Sequence, residues 1–177
     1  ASVNFDAVLS QNLKGGVGFT FQEVSTKENG VTEQQILTEK FSGTWSISYS
    51  NIKNNFSIDY TGNLIGPMRL PVLNELDPRK DKSPLWSIQN IQLTLKGLEH
   101  IELYAGVKNV LNWTPNRGNP FIIARANDPF DKNVVFDNNG NAVATPDNPY
   151  GLTFDPTYIY APNQGRRLFF GLRYKMK

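Results

Sequence analysis

Between residues 41 and 50 the chain alternates without a break: Phe41, Gly43, Trp45, Ile47 and Tyr49 take one parity, Ser42, Thr44, Ser46, Ser48 and Ser50 the other. A two-residue period puts the two sets on opposite faces of an extended strand, whereas a helix repeats every ~3.6 residues and would scatter them. The segment is therefore read as a strand with one apolar and one wet face. The same period returns in residues 3–9 (Val3, Phe5, Ala7, Leu9), 17–21 (Val17, Phe19, Phe21), 56–64 (Phe56, Ile58, Tyr60, Leu64), 101–107 (Ile101, Leu103, Ala105, Val107) and 168–176 (Leu168, Phe170, Leu172, Tyr174, Met176). In the last of these Arg167, Arg173, Lys175 and Gly171 fall on the opposite face. A seventh segment, 86–95, is irregular, since Trp86 and Ile88 share one parity and Ile91, Leu93 and Leu95 the other. A one-residue bulge near Gln89 or Asn90 is expected to bring all five to one face.

Alternation alone does not choose between a half-buried strand of a soluble sandwich and a strand between lipid and water. The connections add what it lacks. Three are short turns, near residues 12–16, 51–54 and 96–100, and three are long and polar, at about 24–40, 66–84 and 112–163. Within the first long connection Asn29-Gly30 has the residues of a small hairpin, and the second holds four prolines, which excludes a central strand. Antiparallel strands with short turns on one side and long loops on the other have the layout of a transmembrane β-barrel. With a periplasmic C-terminus the three long connections face outside. Seven strands is an odd number, and single-chain bacterial barrels have even numbers from eight upward. The expectation is the C-terminal segment, residues 1–177, of a larger barrel, any export leader lying upstream.

Composition limits the remaining choices. A net charge of +2 with scattered Lys and Arg gives no field for nucleic acid. With no cysteine there is no disulfide, thiolate metal site or catalytic Cys. No apolar run approaches the ~20 residues of a membrane-spanning helix, and the mean hydropathy of −0.41 does not argue against a barrel, in which only alternate residues meet lipid.

No catalytic constellation, cofactor or metal site is expected. The one histidine, His100, sits at a turn and has no second His or Cys to join it. The carboxylates Asp128, Asp131, Asp137, Asp147 and Asp155 crowd the longest connection, and Asp137-Asn138-Asn139-Gly140-Asn141 looks like the start of a calcium loop. A plain Asn-Gly hairpin is the favoured reading, because the closing Glu is missing. Trp45, Tyr49, Tyr60, Trp86, Tyr104 and Tyr174 are assigned to aromatic girdles at the membrane interfaces. The loop residues Trp113, Arg117, Phe121, Arg125, Tyr150, Tyr158 and Tyr160 are the candidate substrate contacts, with packing of the loop on itself as the alternative.

Three segments carry a resemblance to the C-terminal part of TonB-dependent outer-membrane receptors. Residues 105–112, AGVKNVLN, resemble the family's penultimate-strand G-V-x-N-L-F-N element; residues 158–167, YIYAPNQGRR, resemble its Pro…Gly-Arg approach to the last strand. In the terminal strand Gly171, Tyr174 and Met176 have the spacing of the signal read by the barrel-assembly machinery. The chain departs from that signal in ending Met176-Lys177 and in carrying Phe169 where a polar residue is usual.

The resemblance implies a 22-stranded barrel in the outer membrane of a Gram-negative bacterium, with an N-terminal plug absent from these residues. It implies active import of a large scarce nutrient such as a metal chelate or siderophore, haem or cobalamin, in the style of Bacteroidetes receptors. Its partners would be the rest of the barrel and the plug, on the same or a separate chain, TonB through the plug, the assembly machinery, lipid and a surface lipoprotein. The alternatives are a glycan-importing receptor of the same family and a soluble β-sandwich binding module, in which the hairpin of residues 41–64 would bury its apolar face against another sheet.

Overall fold

The structure is a computed structural model and describes residues 1–71, 80–97, 100–115, 134–146, 151 and 159–176. Among the described residues eleven strands run β1 (Ser2–Val8), β2 (Leu13–Phe21), β3 (Ser25–Glu28), β4 (Val31–Gln34), β5 (Phe41–Asn51), β6 (Phe56–Ile65), β7 (Trp86–Leu95), β8 (Ile101–Lys108), β9 (Val135–Phe136), β10 (Ala142–Val143) and β11 (Arg167–Tyr174). The seven alternating segments form one antiparallel sheet in the order β1-β2-β5-β6-β7-β8-β11. No α-helix occurs among the described residues.

Pairing is continuous across the sheet. One row runs through Ala7, Gly15, Ile47, Tyr60, Ile91, Val107 and Leu168. Directly paired residues share a face, so the outward face collects Val17, Phe19, Ile47, Ile58, Leu93, Leu103, Phe170 and Leu172, all well exposed. No second layer covers this face among the described residues, so the burial expected of the 41–64 hairpin in a sandwich is not found. The other face is polar: Asn4, Thr44, Asn63, Ser46, Thr61, Asn90, Ser48, Asp59 and Gln92 line adjoining rows. Its side chains bond across the strands, as in Ser48 Oγ to Asp59 Oδ1 at 2.6 Å and Asn63 Oδ1 accepting from the Ile88 N–H at 2.8 Å.

Two local expectations are corrected. The first turn is shorter than its glycines suggested, because Gly15 and Gly16 pair on both sides, Asp6↔Gly16↔Ser46 in one row, and belong to β2. A Cβ on Gly16 would lie only 3.3 Å from Ser46 Oγ and tighter still against the Asp6 carboxylate, so glycine here admits its neighbours and makes no bend.

The second correction concerns β7, which has no bulge: Ile65↔Trp86 through Phe56↔Leu95 are paired without interruption. Trp86 and Ile88 therefore lie on the polar face, where an apolar cluster receives them. The irregularity sits on the partner strand instead. After Lys108 the chain turns at Asn109, with φ of 52°; its N–H goes to Asn90 Oδ1 at 3.1 Å, and the Val110 N–H takes the Gln89 carbonyl at 2.8 Å.

Candidate functional site

The antiparallel meander puts the short turns at one end of the sheet and the three long connections at the other. At the long end, on the polar face, Met68, Leu70, Trp86, Tyr160 and Ala161 are buried together, with Leu37, Ile65, Ile88 and Trp113 packed against them. This small core is a shelf on which the connections rest. Trp86 and Trp113 stack nearly parallel, with ring centroids 5.2 Å apart and planes at 13°, and the Tyr160 hydroxyl donates to the Pro115 carbonyl at 3.1 Å. Trp86 Nε1 is a buried donor with no acceptor among the described residues, which makes it the place on the shelf where an added oxygen would gain most.

The first and second long connections are joined by their backbones. The first folds β3 onto β4 through Asn29 and Gly30, both at positive φ (48° and 82°), as a two-residue hairpin turn requires. The Leu37 N–H then donates to the Arg69 carbonyl at 2.8 Å, and the Ser83 N–H to the Met68 carbonyl at 2.9 Å. Arg69 ties the two together, its Nη1 2.6 Å from Glu33 Oε2 and 3.2 Å from the Gln34 carbonyl. Beside it lies an open concavity of about 470 Å³, lined by Thr26, Asn29, Val31, Glu33, Gln34 and Arg69 among others. Its lining joins amides, a hydroxyl and one ion pair to the apolar Val31 and Ile36, suited to a ligand with both polar and apolar surface.

The two ends of the longest connection are clamped. Asn109, 3% exposed, donates from Nδ2 to the carbonyls of Trp113 at 2.7 Å and Gln164 at 2.9 Å, and its Oδ1 accepts from the Trp113 N–H at 3.0 Å. Asn112 Oδ1 accepts from the Arg166 N–H at 2.8 Å, while the Arg166 guanidinium returns to the Val110 carbonyl. This is the physical content of the N-V-L-N and Gly-Arg elements: two asparagines at positive φ close the connection at its base.

Inside that connection β9 and β10 form the expected hairpin. Asp137 Oδ1 accepts from the N–H groups of Asn139 and Asn141, both at 2.8 Å. These bonds, the one from the Asn141 backbone foremost, hold its carboxyl below the usual aspartate range. The loop thus satisfies its own carboxylate.

Of the loop candidates, Trp113 and Tyr160 come together on the shelf, and Tyr160 is 5% exposed, which suits packing and leaves little of it to meet a ligand. Arg117, Phe121, Arg125, Tyr150 and Tyr158 lie outside the described residues, as do Asp128, Asp131, Asp147 and Asp155. Two girdle assignments are corrected: Trp86 is buried in the shelf and Tyr104 faces the polar side, against Phe169 at 6.4 Å. Tyr49, against Phe56 at 6.0 Å, and Tyr174, against His100 at 6.1 Å, lie on the apolar face by the short turns. Trp45 covers Gly62 on that face, and the Tyr60 hydroxyl donates to Gln89. Sequence reasoning missed Arg69 and Glu33 and misplaced Trp86; only Trp86 left a signal, in its mismatched parity.

The sheet, with its polar and apolar faces and its segregated connections, has the fold of a wall section of a TonB-dependent receptor barrel. In a search of solved structures, 97% of the chain aligns with 21% of the ferric enterobactin receptor of Pseudomonas aeruginosa (PfeA), crystallised as a point mutant in complex with enterobactin, at a TM-score of 0.61 and 17% identity. The chain thus spans about a fifth of that receptor. No described protein family and no curated protein matches the sequence.

Proposed function

We propose that this chain is a wall section of a TonB-dependent outer-membrane receptor, acting in active import and doing no covalent chemistry. The observation that carries the proposal is the course of the apolar band across the sheet. On β2 its outward residues run from Leu13 to Phe21 and centre on Val17; on β8 they run from Ile101 to Val107 and centre on position 104. Gly15 and Val107 share one pairing row, so the centre moves from two residues above that row to three below it across four strand spacings. Five residues of ~3.3 Å against four spacings of ~4.8 Å give a slope of about 40°, and the same five residues over the six spacings from β1 to β11 about 30°. A band that lies level in a bilayer requires strands inclined by such an angle, and membrane barrels tilt by ~35–45°. A sandwich buries its inner face along whole strands and has no cause to shear it.

The same geometry refines the girdle. Phe21 and Phe41 fall at the long-connection rim of the band and Tyr49 and Tyr174 toward the other, while Trp45 and Tyr60 sit near its middle.

The band lies in the outer membrane of a Gram-negative bacterium, the polar face lines the lumen, and the shelf with its long connections faces outside. The remaining strands and the plug complete the barrel, on the same or another chain, with TonB acting through the plug, the assembly machinery reading Gly171, Tyr174 and Met176, and a surface lipoprotein as a further partner. The cargo is a metal chelate of the siderophore kind, as in the neighbouring receptor, with haem, cobalamin or a glycan as the competing classes, and a Bacteroidetes source fits the terminal segment.

The test is electrophoresis of detergent-extracted native material with and without boiling. Co-migration with plug-bearing sequence, released by heat, is expected. A monomeric species soluble without detergent sinks the proposal.

A further inference from the structure

Alternation protects a strand against a one-residue slip, which would turn every side chain to the wrong face, but not against a slip of two. On β11 this matters, because its outward residues Leu168, Phe170, Leu172 and Tyr174 meet Ile101, Leu103, Ala105 and Val107 of β8, and apolar meets apolar in any even register. The information that selects one register has to come from the polar face.

There the pairs are Gly106↔Phe169, Tyr104↔Gly171 and Glu102↔Arg173. Each aromatic side chain lies over the glycine directly opposite: a Cβ on Gly106 would stand 2.6 Å from Phe169 Cζ and closer still to the Ile91 carbonyl oxygen, and one on Gly171 would fall against the hydroxyl and Cζ of Tyr104. The two seats are reciprocal, one ring from each strand, and the rings touch at 6.4 Å. Cations flank them, Lys108 Nζ 5.6 Å from the Phe169 centroid and the Arg173 guanidinium 6.0 Å from that of Tyr104. Glu102 closes the series with Arg173 at 2.9 Å and Lys175 at 2.6 Å.

Both two-residue slips destroy this arrangement. One sets Tyr104 opposite Phe169 and Gly106 opposite Arg167, so that two rings compete for one place. The other sets Gly106 opposite Gly171, leaving a gap, and moves both rings opposite cations, Tyr104 against Arg173 and Phe169 against Lys108. Only the observed register seats both rings.

We propose that this reciprocal ring-on-glycine joint is the register-selecting device of the terminal strand, with Phe169, Gly106, Tyr104 and Gly171 as its positioning residues. The apolar face of β11 then says only that the strand belongs in the band, and the joint says where along β8 it stops. Phe169 is accordingly a working residue of this chain. The inference concerns β8 and β11 alone and stands whether or not the band lies in lipid.

The chain has no cysteine, so engineered pairs report register directly: a disulfide needs Cα atoms within ~6.8 Å, which paired residues meet and residues two positions apart generally exceed. In the full-length protein, Leu103→Cys is combined with Leu172→Cys for the observed register, and with Phe170→Cys or Tyr174→Cys for the two slips. In the parent background only the first combination is expected to oxidise. Adding Phe169→Ser with Tyr104→Ser is expected to raise disulfide in a slipped combination at least ~10-fold. Exchanging the partners at the other seat, Tyr104→Gly with Gly171→Tyr, where the atoms nearest a Cβ on residue 171 all belong to the Tyr104 side chain it replaces, is expected to restore the first combination alone, because the ring still has a seat.

Exclusive oxidation of the first combination in the Phe169→Ser, Tyr104→Ser protein overturns the proposal. So does an exchanged protein that slips or fails to fold while the serine protein folds in register. If the serine protein does not fold, the exchanged protein decides, supporting the joint when it holds register and refuting it when it does not.

Discussion

A single arginine on the outward face tests the reading of that face most directly. Continuing the slope of the band from β2 to β8 puts its centre line on β7 about two residues below Ile91, at Leu93. Leu93 is 41% exposed on the apolar face and pairs with Ile58 and Ala105. Phe21 lies four residues beyond the centre of the band on β2, ~13 Å along the strand at ~3.3 Å per residue and about 10 Å along the bilayer normal once tilt is included. Arginine facing lipid costs ~2–4 kcal/mol at the midplane and ~0–1 kcal/mol near the interface. Leu93→Arg is therefore expected to lose about 2 kcal/mol more than Phe21→Arg. Thr44→Arg, exposed on the polar face, is expected to stay within ~0.5 kcal/mol of the parent. The assay is reversible denaturant unfolding of the full-length protein in lipid vesicles, with folding read by electrophoretic mobility before boiling. Equal costs at Leu93 and Phe21 would refute the oblique band, and no cost at either would remove lipid from that face.

Other substitutions probe the long-connection end. Asn109→Ala strips the Gln164 carbonyl and both Trp113 backbone groups of their partner, and at ~1 kcal/mol or more per orphaned group it is expected to cost about 3 kcal/mol and to speed amide exchange at Trp113. Removing either Trp86 or Trp113 is expected to abolish one and the same exciton feature in circular dichroism, since the two indoles stack; two separate features would contradict the stack. Asp137 gives a pH prediction. Its carboxyl is held low in the folded hairpin, so its contribution is complete above the ordinary aspartate value of ~3.9 and is lost as pH falls through the lower folded value. An NMR titration should show a midpoint below that of a free aspartate, and Asp137→Ala should raise exchange at the Asn139 and Asn141 amides.

The strands were legible because each obeys one rule locally. Leu168 to Met176 reads as a two-faced strand with no knowledge of β8, and the polar row of Ser42 to Ser50 likewise. Legibility failed wherever a residue answers to something distant in the chain. Trp86 breaks the parity of β7 because it answers to Trp113, Met68 and Tyr160, and a local rule could treat it only as a defect to be mended with a bulge. Gly15 and Gly16 read as a turn because a glycine that clears space for Asp6 and Ser46 looks, in sequence, like a glycine that bends the chain. Arg69 was one charge among several in a Pro-rich stretch until the backbone of residues 36–37 came alongside. Asn109 and Asn112 were visible through resemblance, but their work of holding Gln164 and Arg166 follows only from coordinates.

That clamp separates two things that can change independently. With residues 109–113 and 164–166 fixed to each other, the wall is indifferent to the length of what lies between, because closing a loop twice as long costs only ~0.6 kcal/mol more. Segments can be inserted, deleted or exchanged there while β8 and β11 keep their register. The connection is then free to change in length and composition without renegotiating how the sheet folds.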